Sequence, residues 1–283
     1  MIDWRDRFVR LVERKTAEAA RAELPPYRTA LEQPPGDAVA IGNEFTRRVF
    51  DGPFYVSDAG EPALPSASLV FVQSRDGNTG ANDPSSIGGG ATDAHIIYEG
   101  LSRAAADGVL AGAETIRGGD LVFSVWHPEI VRLRESLGLP RHPTQIVATL
   151  RGLSFDETLL YNVPDIRVII LTVSGYAREM ERDLAARPWI MPLVMHDAND
   201  LRAAFEELRT LGQSRISVVG GRTIARALVA ADLVQDLYLT TSPKAGGEPN
   251  TPLFEQPIQS ELILRKEGTG SESGVIFEHK RLR

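Results

Sequence analysis

The sequence predicts an α/β fold with a mixed, mostly parallel sheet and helices on both faces. From about residue 66 onward, short apolar or β-branched runs alternate with segments of helical periodicity, and strand–helix–strand alternation implies parallel strands. Near the C-terminus, two apolar runs flank the turn-rich residues 267–274, which predicts an antiparallel hairpin. Before residue 66, a helical pattern predicts an N-terminal helical extension.

The extension is predicted from apolar residues at helical spacing between about residues 4 and 31, where prolines at 25–26 and 34–35 interrupt the pattern. Residues 36–66 have weak periodicity and several Gly and Pro residues, which is typical of an irregular connection. We therefore divide the chain near Pro65 into a helical extension, residues 1–65, and a main domain, residues 66–283.

The main domain is predicted as alternating strands and helices, followed by the hairpin. Strands are expected at residues 68–72, 108–112, 145–150, 167–173, 216–219 and 237–241. Helices are expected at residues 93–106, 128–137, 176–187, 200–211 and 223–231. The hairpin strands are expected at residues 262–265 and 275–280.

Composition excludes several classes of function. With 42% hydrophobic and 24% charged residues, the chain is typical of globular proteins. Its net charge of -7 supplies no overall positive field for nucleic acid or an anionic membrane. The absence of cysteine excludes disulfides and thiolate chemistry, and the five histidines lack metal-ligand spacing, so we expect no metal. A charged N-terminus without a long apolar run predicts a cytoplasmic protein.

Two glycines, Gly220 and Gly221, join a predicted strand directly to a predicted helix. Glycine lets a phosphate approach the free N–H groups at a helix start, where the helix dipole also favours negative charge. A pyrophosphate would suit this junction, although the Rossmann and P-loop fingerprints are both absent. A tight strand-to-helix turn without any ligand explains the pair equally well.

A second junction, residues 108–120, contains Gly112, Thr115 and Arg117. Gly112 permits close backbone approach, Thr115 is able to cap a helix or donate to phosphate, and Arg117 would face an anionic group. Capping alone would explain Thr115. Polar residues also follow two further strands, at Thr149 and Arg151 and at Thr172 and Ser174.

Ligands of open α/β sheets bind beyond the carboxyl ends of the strands, so hydroxyls and an arginine at such ends suit a nucleotide. Hydroxyl-rich loops without a ligand are also common. The first strand ends in a turn containing Asp76, which is either only a turn residue or a carboxyl that supplies a proton. The small and polar residues 85–93, which include Ser86, form either a substrate rim or a helix N-cap.

Taken in order, these motifs resemble the reductase domain of the bacterial riboflavin pathway, the RibD-type C-terminal half of the deaminase-reductase. The resemblance covers about residues 66–283 and implies the three-layer dihydrofolate-reductase-like fold. It rests on Ser74-Arg-Asp-Gly77, on residues 107–115 with Asp120, on Gly220, on residues 230–243 with Gly246-Gly247, and on residues 273–277.

The resemblance implies NADPH as the hydride donor. By position, the residues along the cofactor would be Gly112, Thr115, Gly220, Gly221, Arg222 and Thr223. Those around its adenosine ribose and 2′-phosphate would be Thr149, Arg151, Thr172 and Ser174. Asp76 would be the catalytic acid on the substrate side, and the substrate contacts would be Ser86, Arg132 and Arg134. An arginine beside the 2′-phosphate would distinguish NADPH from NADH.

Val219 stands where the family usually has a glutamate before the glycine pair. Dihydrofolate reductases place an apolar residue there, so Val219 is compatible with folate-like or other pyrimidine reduction. A second departure is Gln235-Asp236, where the family has Asp-Glu.

The sequence therefore predicts an NADPH-dependent reductase of a C=N or C=O group in a pyrimidine, pterin or ribosylamine-like small molecule. The alternative is a catalytically silent NADP(H)-binding sensor or scaffold. A third possibility is an α/β domain whose glycines are purely structural. Members of the family commonly pair as homodimers, and we expect the same here.

Overall fold

Strands and helices alternate through most of the chain in the computed structural model, which describes residues 3–58, 61–81, 84–117 and 119–283. The strands are β1 (Tyr27–Glu32), β2 (Ala38–Ile41), β3 (Phe54–Ser57), β4 (Ser66–Gln73), β5 (Gly108–Gly112), β6 (Thr144–Ala148), β7 (Val168–Val173), β8 (Ile190–Met195), β9 (Arg215–Val218), β10 (Asp236–Thr241), β11 (Ser260–Gly268) and β12 (Ile276–Leu282).

The helices are mostly short. The α-helices are α1 (Trp4–Arg21), α2 (Glu44–Phe50), α3 (Gly90–Thr92), α4 (Ser102–Ala104), α5 (Ala113–Ile116), α6 (Pro128–Ser136), α7 (Ser174–Glu179), α8 (Glu181–Ala185), α9 (Leu201–Thr210) and α10 (Arg222–Ala230). A π-helix spans Asp93–Leu101 between α3 and α4, and 3₁₀ turns span Pro84–Ile87, Leu159–Tyr161 and Gly270–Glu272. No helix in the described ranges is long and apolar enough to cross a membrane.

One mixed sheet organises the described chain. Its strand order is β1-β11-β12-β10-β4-β9-β5-β6-β7-β8, and the strands from β10 to β8 are parallel to one another. The strands β1, β11 and β12 extend the sheet with antiparallel pairing. The predicted mixed α/β fold with a C-terminal antiparallel hairpin is confirmed.

Two hydrophobic cores cover the two faces of the sheet. One face carries the π-helix, α6 and α1, whose Phe8 and Leu11 are buried against it. The other face carries α9 and α10, which bury Phe205 and Leu228. The central strands are apolar on both sides, as expected for parallel strands between two helical layers.

The first 65 residues are less helical than the sequence predicts. Helix α1 ends at Arg21, before Pro25-Pro26, and the following residues form β1, which pairs with β11 at the edge of the main sheet. The segment expected to be an irregular connection contains the β2–β3 hairpin and helix α2. A capping box formed by Asn43 and Thr46 starts this helix. Long-range pairing with β11, which a local pattern does not contain, accounts for β1.

Two differences occur in the second half of the chain. The helix expected at residues 176–187 is two short helices, α7 and α8, that meet at Met180. Strand β8 was not predicted, because Pro192 interrupts its pattern. The strand tolerates proline because it lies at the edge of the sheet.

Lys266 of β11 forms hydrogen bonds with β1 and with the C-cap of α2. Its side chain is fully buried, and its ammonium group donates to Thr29 Oγ1 at 2.8 Å and to the Asp51 carbonyl at 3.0 Å. The ammonium also lies 4.6 Å from the centre of the Phe50 ring. Burial lowers the pKa of Lys266.

Replacing Lys266 with Met should lower the free energy of unfolding by about 2 kcal/mol, because two acceptors lose their donor. Urea unfolding measures the change. Lys280→Met is the matched control, since Lys280 pairs with Glu278 near the surface and its replacement should change stability by only about 0.5 kcal/mol. Equal effects of the two substitutions would contradict the role of Lys266.

Candidate active site

The carboxyl ends of the parallel strands bring most of the predicted site residues to one edge of the sheet. Strands β9, β5, β6 and β7 are consecutive neighbours, so the segments that follow them leave side by side. Gly220 and Thr115 are in close approach, because a Cβ added to Gly220 would lie 3.1 Å from Thr115 Oγ1. The two glycine-containing junctions therefore form one surface.

The Gly220-Gly221 junction starts α10. Gly221 has a φ of +78°, a backbone conformation that side-chain-bearing residues rarely adopt, and it is the N-cap of this nine-residue helix. The amides of the first turn have no acceptor within the helix, and of the two residues that begin it Arg222 is half-buried and Thr223 is exposed. Such a turn offers N–H groups and a helix dipole to an anion.

A pair of arginines lies near the ends of β5 and β6. Glu114 Oε1 is 3.3 Å from Arg117 Nη2 and 3.9 Å from Arg151 Nη1, and all three side chains are exposed. Thr149 Oγ1 donates to the Arg151 carbonyl at 2.7 Å and accepts from the Arg151 amide at 3.1 Å, so it fixes the loop that carries Arg151. Arg151 is available to a phosphate, whereas the Thr149 hydroxyl is engaged locally.

At the end of β7, Thr172 and Ser174 differ. Ser174 is exposed at the first residue of α7. Thr172 is fully buried, because strand alternation places it on the same face as Val168 and Ile170, inside the core. This position corrects the expectation that the Thr172 hydroxyl contacts a cofactor.

The turn after β4 carries Asp76 and closes against another loop. Asp76 is exposed, and its Oδ2 accepts from the Gly246 amide at 3.3 Å. Asn78 in the same turn forms an isolated antiparallel bridge with Pro252 of the facing loop. Ser86 is exposed in the 3₁₀ turn that precedes the Gly88–Gly90 run.

Arg134 does not lie at the carboxyl-end edge of the sheet. Its side chain is fully buried, and its guanidinium donates to the carbonyls of Arg103, Ala104 and Ala106 at 2.9, 3.3 and 2.6 Å. These carbonyls end the helical run that precedes β5, at the amino-end edge of the sheet. Arg134 therefore caps a helix, and the expected substrate contact is corrected.

Arg132 lies on the surface of α6. It is exposed, and its guanidinium pairs with Glu129 on the same helix at 2.5 Å. A substrate role for Arg132 stays a prediction.

The structure adds a buried acid that sequence reasoning missed. Asp93, the first residue of the π-helix, is 8% exposed and accepts a hydrogen bond from the Thr240 hydroxyl near the end of β10. Burial raises the pKa of Asp93 to about 7; the Thr240 hydroxyl opposes this shift, and the charge of Glu272 adds to it. A carboxyl in this state holds a proton near neutral pH and is able to donate it.

A signal for Asp93 was present in the three consecutive glycines that precede it. A Cβ added to Gly89 would lie 2.2 Å from Asp93 Oδ2, so any larger residue there would force this carboxyl to move. From the sequence alone, this glycine run is interpreted as part of a substrate rim or of a helix N-cap. The packing of the Asp93 carboxyl beneath it is a tertiary contact that the sequence does not show.

The π-helix connects the acid to the glycine junction. The Tyr98 hydroxyl, one turn after Asp93, donates to the Val219 carbonyl at 3.3 Å. The Val219 side chain is 4% exposed and packs in the core on the face of the π-helix. The π-helix thus links the buried acid to the strand end that precedes the glycine turn.

A mixed, mostly parallel sheet between helical layers, with a C-terminal antiparallel hairpin, is the dihydrofolate-reductase-like fold. The chain belongs to the RibD C-terminal domain family, whose sequence model matches residues 65–273. Among curated protein sequences, none matches the chain.

Solved structures share the fold at low sequence identity. A pyrimidine reductase-like protein from Corynebacterium diphtheriae matches with a TM-score of 0.58 and 18% identity, over 77% of this chain and 92% of that one. RibD from Acinetobacter baumannii matches with a TM-score of 0.60 and 17% identity, over 78% of this chain and 58% of that longer chain. The riboflavin biosynthesis reductase Rib7 from Saccharomyces cerevisiae matches with a TM-score of 0.54 and 17% identity, over 80% and 93% of the two chains.

Replacing Asp93 with Asn should stabilise the protein increasingly as pH rises from about 4 to about 7. The folded-state pKa of Asp93 is about 7, above its unfolded value, so between these two values the carboxyl ionises in the unfolded chain while the fold keeps it protonated, and the wild-type protein loses stability as pH rises. Asparagine can still accept from Thr240 and has no charge to bury. Urea unfolding of both proteins across this pH range measures the difference, and a difference independent of pH would contradict the buried acid.

Proposed function

We propose that this chain is an NADPH-dependent reductase that acts on a C=N or C=O group of a pyrimidine, pterin or ribosylamine-like substrate. When bound at the carboxyl edge of the sheet, NADPH would supply a hydride from C4 of its nicotinamide. The connection of the Gly220-Gly221 turn to Asp93 through Tyr98 is the observation that carries the proposal. Membership of the RibD C-terminal domain family supports it.

The residues present suit a dinucleotide. The α10 start would hold the diphosphate through its amides, and Arg222 and Thr223 would lie beside it. Gly112, where an added Cβ would meet nothing within 4 Å, leaves open space beside the junction, and Thr115 would line it. Arg151, with Arg117 nearby, would bind the 2′-phosphate, and Ser174 would lie at the adenosine end.

Asp93 would supply the proton of the reaction. Its carboxyl O–H bond would break as a new bond to hydrogen forms at the substrate nitrogen or oxygen, next to the carbon that receives the hydride. Asp93 would then be a carboxylate, and water would reprotonate it after the product leaves. The Asp76 carboxyl, in the exposed turn at the same edge, is the second candidate for this role.

A catalytically silent NADP(H)-binding sensor or scaffold is the alternative function. The apolar Val219, where the family usually has glutamate, favours it. Oxidation of NADPH with any member of a panel of pterins and aminopyrimidines would exclude this alternative. Quenching of NADPH fluorescence without oxidation across the panel would support it.

Gly221→Asp should weaken NADPH binding about tenfold or more, because a carboxylate would stand in the path of the diphosphate. Titration calorimetry measures the affinity. Gly212→Asp is the matched control: Gly212 is exposed, has a φ of +85° and precedes β9 at the opposite edge of the sheet. Undiminished binding by Gly221→Asp, or equal loss in both variants, would refute the phosphate site.

Asp93→Asn should retain NADPH binding and lose about 10²–10⁴-fold in turnover, the usual contribution of a positioned acid. Asp76→Asn tests the second candidate under the same conditions. The variant that loses turnover while it still binds NADPH identifies the proton donor. Full activity of Asp93→Asn would remove Asp93 from the mechanism, and loss in Asp76→Asn alone would assign the proton to Asp76.

A further inference from the structure

Residues 25–27, which lie outside the family match, form part of the wall around Asp93. The Thr92 hydroxyl donates to the Pro25 carbonyl at 2.9 Å, and the Thr269 hydroxyl donates to the Pro26 carbonyl at 2.6 Å. Tyr27 begins β1, pairs with Gly268 and is only 1% exposed. The segment is therefore fixed on both sides, against the start of the π-helix and against the β11–β12 hairpin.

A second buried carboxyl lies beside Asp93. Glu272 is in the 3₁₀ turn between β11 and β12, is 5% exposed, and accepts the Thr92 amide on Oε1 at 2.9 Å. Its other oxygen, Oε2, and the Tyr27 hydroxyl are both buried without any further hydrogen-bond partner among the described residues, and these two groups interact with one another. Burial raises the pKa of Glu272, and the amides of Thr92 and Ala91 oppose that shift.

The glycine run covers both carboxyls. A Cβ added to Gly89 would lie 2.2 Å from Asp93 Oδ2, and one added to Gly90 would lie 2.4 Å from Glu272 Cδ. Gly90 also has a φ of +90°. The close passage of this backbone over two acids keeps both out of water, so the acids interact strongly with one another.

The groups that face Asp93 come from four elements. The Thr240 hydroxyl of β10 donates to it, and Glu272 of the hairpin turn and Tyr27 of β1 lie close to it. Tyr98 of the π-helix also interacts with Asp93. Burial, with the charges of Asp93 and Glu272, raises the pKa of Tyr27, so Tyr27 stays a neutral O–H donor.

Two carboxyls in one buried site do not both ionise readily, and one proton is held by the pair. Glu272 accepts a backbone amide, which only donates and therefore stabilises a carboxylate. At Asp93, desolvation outweighs the hydrogen bond that the carboxyl accepts from the Thr240 hydroxyl, so Asp93 stays the neutral carboxylic acid. The negative charge therefore rests on Glu272, and the proton rests on Asp93.

We propose that Tyr27 and Glu272 are positioning residues that keep Asp93 a neutral acid until the substrate takes its proton. This inference rests on the proposed function, in which Asp93 is the donor. It also assigns a role to β1: the strand brings Tyr27 to the acid pair, and the Tyr27 hydroxyl stabilises the charge of Glu272.

The two residues should move the Asp93 titration in opposite directions. Glu272→Gln removes a neighbouring negative charge and should shift the midpoint to lower pH by about one pH unit. Tyr27→Phe removes a donor from Glu272, so the pair should keep its proton to higher pH. General damage to the fold would give no such opposite shifts.

Infrared titration of the free protein measures these midpoints through the carbonyl band of the protonated carboxyl, which Asp93→Asn identifies by its loss. Glu267→Gln is the matched control, because Glu267 is an exposed carboxylate of β11 paired with Arg265 at 3.6 Å. It should leave the midpoint unchanged.

Unchanged midpoints in both Glu272→Gln and Tyr27→Phe, or shifts in the same direction, would overturn the proposal. If Glu272→Gln fails to fold, as circular dichroism would show, Tyr27→Phe alone decides, since it removes a single hydroxyl. The titration needs neither NADPH nor substrate. A coupled pair in a protein that reduces nothing would refute only the proposed function, whereas normal reduction with unshifted midpoints would refute only the coupling.

Discussion

Parallel pairing of β10, β4, β9 and β5 sets the geometry on which the candidate site depends. The register places Thr240 of β10 opposite Val72 of β4, and Val218 of β9 opposite both Leu69 of β4 and Leu110 of β5. Since all four strands run the same way, the segments that leave them emerge at one edge. The glycine turn, the Asp76 turn and the partner of Asp93 meet there because of this pairing.

The π-helix adapts that edge to carry an acid. A Cβ at Gly100 would lie 2.9 Å from the His95 carbonyl, so glycine accommodates the wide turn of this helix. Helices of this type are rare and occur frequently at functional sites. Here the helix places Asp93 against Thr240 at one strand end and Tyr98 against Val219 at another. Its geometry joins two strand ends that are separated by β4.

Burying an acid opposes folding, and the candidate site contains two buried acids. Asp93 and Glu272 lie beneath the closely packed backbone of Gly89 and Gly90, and their solvation by water is replaced by Thr240, by the Thr92 amide and by Tyr27. Val219, where the resembled family usually has glutamate, instead packs in the apolar core. Asp93 and Glu272 therefore lie on the π-helix and the hairpin turn rather than at the end of β9.

Local periodicity in the sequence predicted the strand–helix alternation and the C-terminal hairpin, and the glycine pairs indicated the tight junctions. The family was recognised from the order of its motifs, as a resemblance that the family match over residues 65–273 confirms. The sequence did not determine β1, whose stability comes from pairing with β11 more than 200 residues away. It also did not distinguish Arg134, a helix cap, from a ligand-binding arginine, or Thr172, a core residue, from an exposed one. Asp93, Glu272 and Tyr27 come from three segments that are distant in the sequence. They become buried next to one another only when the chain folds. Desolvation depends on every neighbour at once, so it has no local pattern in the chain.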